Sequence, residues 1–299
     1  MEEEKKIITR RDFIRSSSCI AMGTLMGLPL LGNTPIKKTK MSRVVLVRHK
    51  DVIDKNGKPA PEILQDMLDQ AVTTLLNTTD TGSAWKQLFR PNDVIGIKSN
   101  VWHFLPTPGP LEEGIVKRLL ETGVKEENVA SDDRGVLGNP IFKQSTALIN
   151  VRPMRTHHWS GLGTLIKNYI MFVPSPWSYH GNACERLGAI WLLPHVKGKT
   201  RLNILVMLTP LFHGIGPHHF SPQYTWPYCG LIVSTDPVAA DATGARIIQT
   251  KRDDFFKEER PISPPPRHIA AADTRFKLGN SHPENIQLIK VGWEKDILI

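Results

Sequence analysis

A chain of 299 residues has material for one substantial core, and its length alone does not call for two domains. Apolar residues make up 40% and charged residues 22%, ordinary globular values that exclude a wholly disordered chain. Net charge is +9, but residues 1–40 hold eight Lys or Arg against four Asp or Glu, which leaves +5 beyond them. No basic run interleaved with aromatics follows, so nucleic acid is not an expected partner.

The first element in chain order is a leader. The run Thr9-Arg10-Arg11-Asp12-Phe13-Ile14-Arg15 precedes a short apolar stretch from Ile20 to Leu31. That stretch falls short of the roughly 20 apolar residues that a membrane-spanning helix needs. A basic region ahead of a short apolar one reads as an export signal, and this one resembles twin-arginine signals. The resemblance implies the twin-arginine export machinery as a partner, a folded passenger, and a periplasmic or cell-envelope destination with no stable membrane span after processing. Residues 1–40 are then leader and linker, and 41–299 a single α/β domain.

Met41 to Val47 reads as a strand. Ile63, Leu64, Met67, Leu68, Ala71, Val72, Leu75 and Leu76 then repeat at helical spacing. Val94 to Ile97 forms the next strand, with Lys98 and Asn100 at its carboxyl end. In the helix after it, Pro110 suits the first turn, Glu112 and Glu113 suit the positive end, and Gly123 suits the stop. The segment "ENVASDD" supplies a short strand running into Asp132 and Asp133. Strand, helix and strand in this order make a right-handed parallel unit. Further strands are expected at Leu148–Val151, Leu202–Met207, Leu231–Ser234 and Ile286–Val291. Asp236 and Pro237 take the cap and first position of another helix. A proline-rich stretch precedes a last helix near Ile269 to Lys277. The fold class is α/β, with a mainly parallel or mixed central sheet flanked by helices.

In open α/β sheets, ligands bind beyond the carboxyl ends of the strands. That rule gathers Arg48 and His49, Lys98 and Asn100, Asp132 and Asp133, and Arg152, Arg155, His157 and His158. Cations outnumber anions in this set, which suits an anionic small molecule. In "THHWSGLGTLIKN", Gly161 and Gly163 would let the backbone approach a ligand, with Lys167 and Asn168 one turn into a helix. Lys98, Lys167, His157 and Asp132 are the candidate catalytic residues, and Asn100, Gly161, Gly163 and Asn168 the candidate binding residues. Imidazoles at His180, His213 and His218, with Asp241 among alanines, are candidate ligands for a divalent transition metal. Only Cys184 and Cys229 remain beyond the leader, too few for an iron–sulfur cluster.

Several segments, among them "DVIGIKSN", "ENVASDDRG", "THHWSGLGTLIKN", "HGIGP" and "VSTDPVAADATGARII", occur in the order found in the domain of unknown function 362 family. The chain resembles an exported, single-domain member from about Val44 to Arg252. By this resemblance Lys98, Asn100, Asp132, His157 or His158, Lys167, Asn168, His180, Asp236 and Asp241 match polar positions of the family. Arg155 stands where the family commonly has a lysine, and the acidic residue usual near Val206 is absent. No reaction comes with the resemblance. The expectation is an exported protein that binds an anionic small molecule, with or without a metal, at the strand carboxyl ends. The alternative is a non-catalytic binding or maturation factor for an exported redox partner.

Overall fold

A computed structural model describes residues 41–214, 216 and 220–299. The leader with its paired arginines, and His218 and His219, lie outside the described residues.

The chain runs β1 (Ser42–Arg48), α1 (Pro61–Leu76), α2 (Thr81–Leu88), β2 (Ile95–Lys98), α3 (Gly109–Glu121), β3 (Val129–Asp132), α4 (Pro140–Gln144) and β4 (Ala147–His157). It continues through β5 (Gly161–Gly163), α5 (Leu165–Asn168), β6 (Thr200–Leu211), β7 (Gly230–Ser234), α6 (Pro237–Phe256), α7 (Arg267–Thr274) and β8 (Ile286–Gly292).

Local chemistry accounts for the boundaries. In α1, Pro61 needs no hydrogen bond at the first position, and Leu64, Met67, Leu68, Ala71, Val72 and Leu75 form its buried stripe. Asn77 closes α1 in the left-handed conformation, at φ 55°. Asp236 caps α6 by accepting from the backbone N–H groups of Val238 and Ala239 at 2.8 and 3.0 Å. The short helix α2 buries only Ala84 and Trp85, too few positions for a readable period.

The strands lie in the order β3-β2-β4-β6-β7-β1-β8, with β5 folded back on β4. Strands β3, β2, β4 and β6 are mutually parallel, β7 runs antiparallel to both β6 and β1, and β8 is parallel to β1. The sheet is therefore mixed and flanked by helices, an α/β fold. One face packs on α1, α2 and α3 through residues such as Val45, Leu68, Trp85 and Ile115. The other packs on α5, α6 and α7 through Leu46, Ile166, Ile247 and Ala272.

Both β4 and β6 extend past the apolar runs that announce them, to His157 and Leu211. The extra half of β4 carries polar residues yet is buried along its whole length, and the site below is built on it. No helix among the described residues is long and apolar enough to cross a membrane.

Candidate functional site

Residues three apart on a regular strand face opposite sides of the sheet. Arg152 and Arg155 are three apart, yet both line one cleft of ≈ 340 Å³. The register of β4 against β6 shifts between Pro153 and Arg155: an advance of two residues in β4 is matched by five in β6, from Val206 to Leu211, so the extra length lies in β6. Arg152, Arg155 and His157 reach the one cleft at the carboxyl end of β4, where β5 folds back on it through the pairs Arg155–Gly163 and His157–Gly161. Pro153 lines a separate apolar groove with Val206 and Leu208.

Two neighbours of β4 complete the floor. Asp241 of α6 accepts the N–H groups of Leu165 and Ile166 at 2.9 Å each, which anchors the start of α5. Burial pushes the Asp241 carboxyl up to about 7 against those stabilising bonds. So anchored, α5 presents Lys167 and Asn168 to the cleft. The Asn168 amide reaches the carbonyls of Lys98 and Val151 at 3.1 Å and Asn150 Oδ1 at 2.9 Å. Its oxygen accepts from Arg152 at 3.2 Å. One buried amide thus ties β2, β4 and α5 together.

The charge balance is one-sided. Arg134, Arg152, Arg155 and Lys167 line the cleft, and Asp133 is the one carboxylate among the lining residues. Asp133 is already occupied: Oδ1 accepts from Lys98 Nζ at 2.5 Å and Oδ2 from the Val101 N–H at 3.0 Å. Burial works to raise Asp133, but Lys98 prevails and holds it below the usual carboxylate range. Arg152, Arg155 and Lys167 are 4%, 5% and 3% exposed, and none is in an ion pair among the described residues. Their partners are neutral: Asn168 for Arg152, Asn100 Oδ1 at 3.0 Å for Arg155, and the Cys184 thiol at 3.7 Å for Lys167. The Nε atoms of both arginines have no hydrogen-bond partner among the described residues. Burial, helped by mutual repulsion among cations, pulls Lys167 down to about 8 and Arg155 well below the ordinary guanidinium range. His157 is held far below the usual imidazole range, first by burial and then by Lys167, Arg152 and Arg155. It is therefore neutral. Its Nδ1 accepts from the Trp159 N–H at 3.2 Å, so Nε2 carries the proton.

The mouth is apolar. Trp102, Trp159, Trp177, Ile170 and Met171 form its wall, and Trp177 is 71% exposed. The Arg155 guanidinium lies 4.2 Å from the centre of the Trp102 ring.

Lys98, Asn100, His157, Lys167 and Asn168 therefore come together, with Lys98 beneath the floor. Asp132 does not face the cleft. Its carboxylate accepts from the Gly135 N–H at 2.8 Å and from the Asn139 amide at 3.1 Å, leaving Asp133 as the acid inside. The two glycines make room for protein groups. A Cβ on Gly161, at φ 71°, would lie 2.0 Å from the Pro264 carbonyl oxygen, and one on Gly163 would lie 2.8 Å from Arg152 Nη2. Arg48 is part of the same edge but not of the cleft, since it is sandwiched between the rings of Tyr228 and Trp293 at 4.1 and 4.5 Å.

The three candidate metal ligands among the described residues do not come together. His180 lines the cleft mouth with its ring 4.3 Å from that of Trp159, and burial holds its imidazole at about 4. His213 accepts from Arg252 at 3.1 Å, Asp241 anchors α5, and His218 lies outside the described residues. No group of three or more His, Cys, Asp or Glu among the described residues is placed to hold a metal ion. Cys184 and Cys229 are separate buried thiols. Cys184 ends a turn in which Asn182, Ala183 and Cys184 all adopt left-handed φ, at 49°, 53° and 61°.

Sequence reasoning missed the tryptophan wall and the weight of Arg152 and Arg155. The available signal was their density: three cationic or imidazole side chains in six residues of an otherwise apolar strand.

The family model described as a domain of unknown function (DUF362) matches residues 128–246. That match supports the domain-of-unknown-function family for this chain. It spans β3 to the middle of α6 and includes Asp133, Arg152, Arg155, Lys167 and Asp241, but not Lys98 or Asn100. Neither a curated protein nor a solved structure matches the chain.

Proposed function

We propose that the cleft at the carboxyl ends of β2 and β4 binds a small anionic molecule, held by Arg152, Arg155 and Lys167. One observation carries the reading: three buried cations line a cleft whose single lining carboxylate is already neutralised by Lys98. Burying an unpaired charge costs several kcal/mol, and an incoming anion offsets that cost. The free N–H on each Nε gives the two guanidiniums a donor to spare, and guanidinium geometry matches carboxylate, sulfate and phosphate. The tryptophan wall favours an anion with an apolar or planar portion facing the mouth. The fit does not depend on a metal.

Calorimetric titration of the purified protein with sulfate, phosphate and small carboxylates tests this. Saturable binding that weakens by about tenfold or more in Arg155→Gln is expected; no binding, or equal binding by the variant, overturns the reading. Export by the twin-arginine route belongs to the same proposal, supported by Arg10 and Arg11 ahead of the apolar run. Replacing both by lysine and fractionating cells should retain the protein inside, and unchanged export would refute that part.

A further inference from the structure

The two lysines of the cleft are held differently. Lys98 Nζ has a carboxylate at 2.5 Å, the Ser99 carbonyl at 2.7 Å and the Asn168 oxygen at 3.4 Å, so its ammonium is fully engaged. Lys167 is equally buried and lines the open cleft, but among the described residues the one group bonded to its Nζ is the Cys184 thiol. Burial pushes that thiol up, so it stays protonated and supplies no counter-charge. Arg152, Arg155, His157, His180 and His268 are cationic or neutral neighbours of Lys167, and the nearby carboxylates, Asp133 bonded to Lys98 and Asp241 bonded to the start of α5, act on the arginines. Desolvation beside fixed cations is the arrangement that turns a lysine into a free amine near neutral pH, hence a nucleophile toward carbonyl carbon.

Building on the anion-binding reading, we propose that Lys167 condenses with the carbonyl carbon of a small 2-oxo carboxylate whose carboxylate rests on Arg152 and Arg155. The Nζ lone pair forms the new C–N bond, and the carbonyl π pair moves to oxygen. That oxygen takes up the proton shed by nitrogen and a second from solvent, and leaves as water while nitrogen's remaining electrons close the imine. Solvent recovers its proton from the iminium nitrogen. Net, amine and carbonyl give imine and water, with no oxidant or reductant. Burial lowers Lys98 to about 8 as well, but its Nζ is bonded to Asp133 and it does not line the cleft, so it is the internal comparison and does not react.

The test is reductive trapping on the full-length protein with glyoxylate or pyruvate and cyanoborohydride, followed by peptide mass mapping. The expected result is a dominant adduct on Lys167, formed at least about tenfold faster than on any exposed lysine. It should be suppressed by excess sulfate and missing from Lys167→Arg, whose folding is checked by circular dichroism. A Cys184→Ala variant, which leaves the amine in place, should still be labelled. Labelling spread over surface lysines with no preference for Lys167, or unchanged total labelling in Lys167→Arg, overturns the inference. If sulfate binds but Lys167 forms no adduct, the imine proposal fails and the anion site stands. If sulfate does not bind either, both fail.

Discussion

The two ends of the parallel strands treat arginine in opposite ways. At the amino end, Arg201 of β6 makes a two-pronged pair with Asp93, Nη1 to Oδ2 at 2.6 Å and Nη2 to Oδ1 at 2.9 Å. Burial alone would raise Asp93, but Arg201 and Thr146 outweigh it and hold the carboxylate ionised. At the carboxyl end, Arg152 and Arg155 are more deeply buried than Arg201 and, among the described residues, hydrogen-bond only to amide oxygens. The first arrangement is complete in itself and reads as structure. The second leaves charge uncompensated, and such incompleteness marks a place where something from outside belongs.

Breaking each end separately sharpens the contrast. The double variant Arg152→Gln, Arg155→Gln should weaken sulfate binding by a hundredfold or more, about 3 kcal/mol, while leaving the melting temperature of the ligand-free protein unchanged or raised. A large loss of stability with binding intact would reverse the assignment. Asp93→Asn should do the opposite: a stability loss of about 2 kcal/mol in urea unfolding, with anion affinity intact. Gly163→Ala, by crowding Arg152 at 2.8 Å, should cost about tenfold in affinity. Titration gives a signed prediction. Lys167 sheds its proton as pH rises through about 8, so anion affinity should fall above that pH by up to about tenfold per unit. Its folded value lies below the unfolded one, near 10.4, so the native state binds the proton more weakly. Ligand-free wild type should therefore gain stability relative to Lys167→Met between about pH 8 and 10, measured by thermal melts. Trp177→Ala, at the exposed lip, should change affinity for aromatic carboxylates only a few-fold and leave sulfate unaffected.

Much of the scaffold is legible in the sequence. The stripe in α1, the acidic start and glycine stop of α3, and Asp236-Pro237 ahead of α6 are local signals, and local signals survive in a sequence. So is the rule that brings Lys98, Asn100 and His157 to one edge. What is not legible depends on partners distant in the chain. Asp132 and Asp133 are neighbours with the same chemistry, and only the turn to Gly135 and Asn139 decides which faces inward. Asp241 among alanines suggests an inward charge, but that it serves two N–H groups of α5 requires knowing where α5 lies. Gly161 and Gly163 announce a close approach without saying to what; Pro264 and Arg152 are 103 and 11 residues away.

The irregularity between β4 and β6 has a bearing on how this site could vary. The two strands run side by side like rails, and between Pro153 and Arg155 the rail of β6 takes five steps, from Val206 to Leu211, where that of β4 takes two. The slack therefore sits in the strand that contributes no group to the cleft, while β4 keeps Arg152, Arg155 and His157 at their own spacing. In comparing related chains, length should vary in β6 over this stretch and stay fixed in β4 between Arg152 and His157.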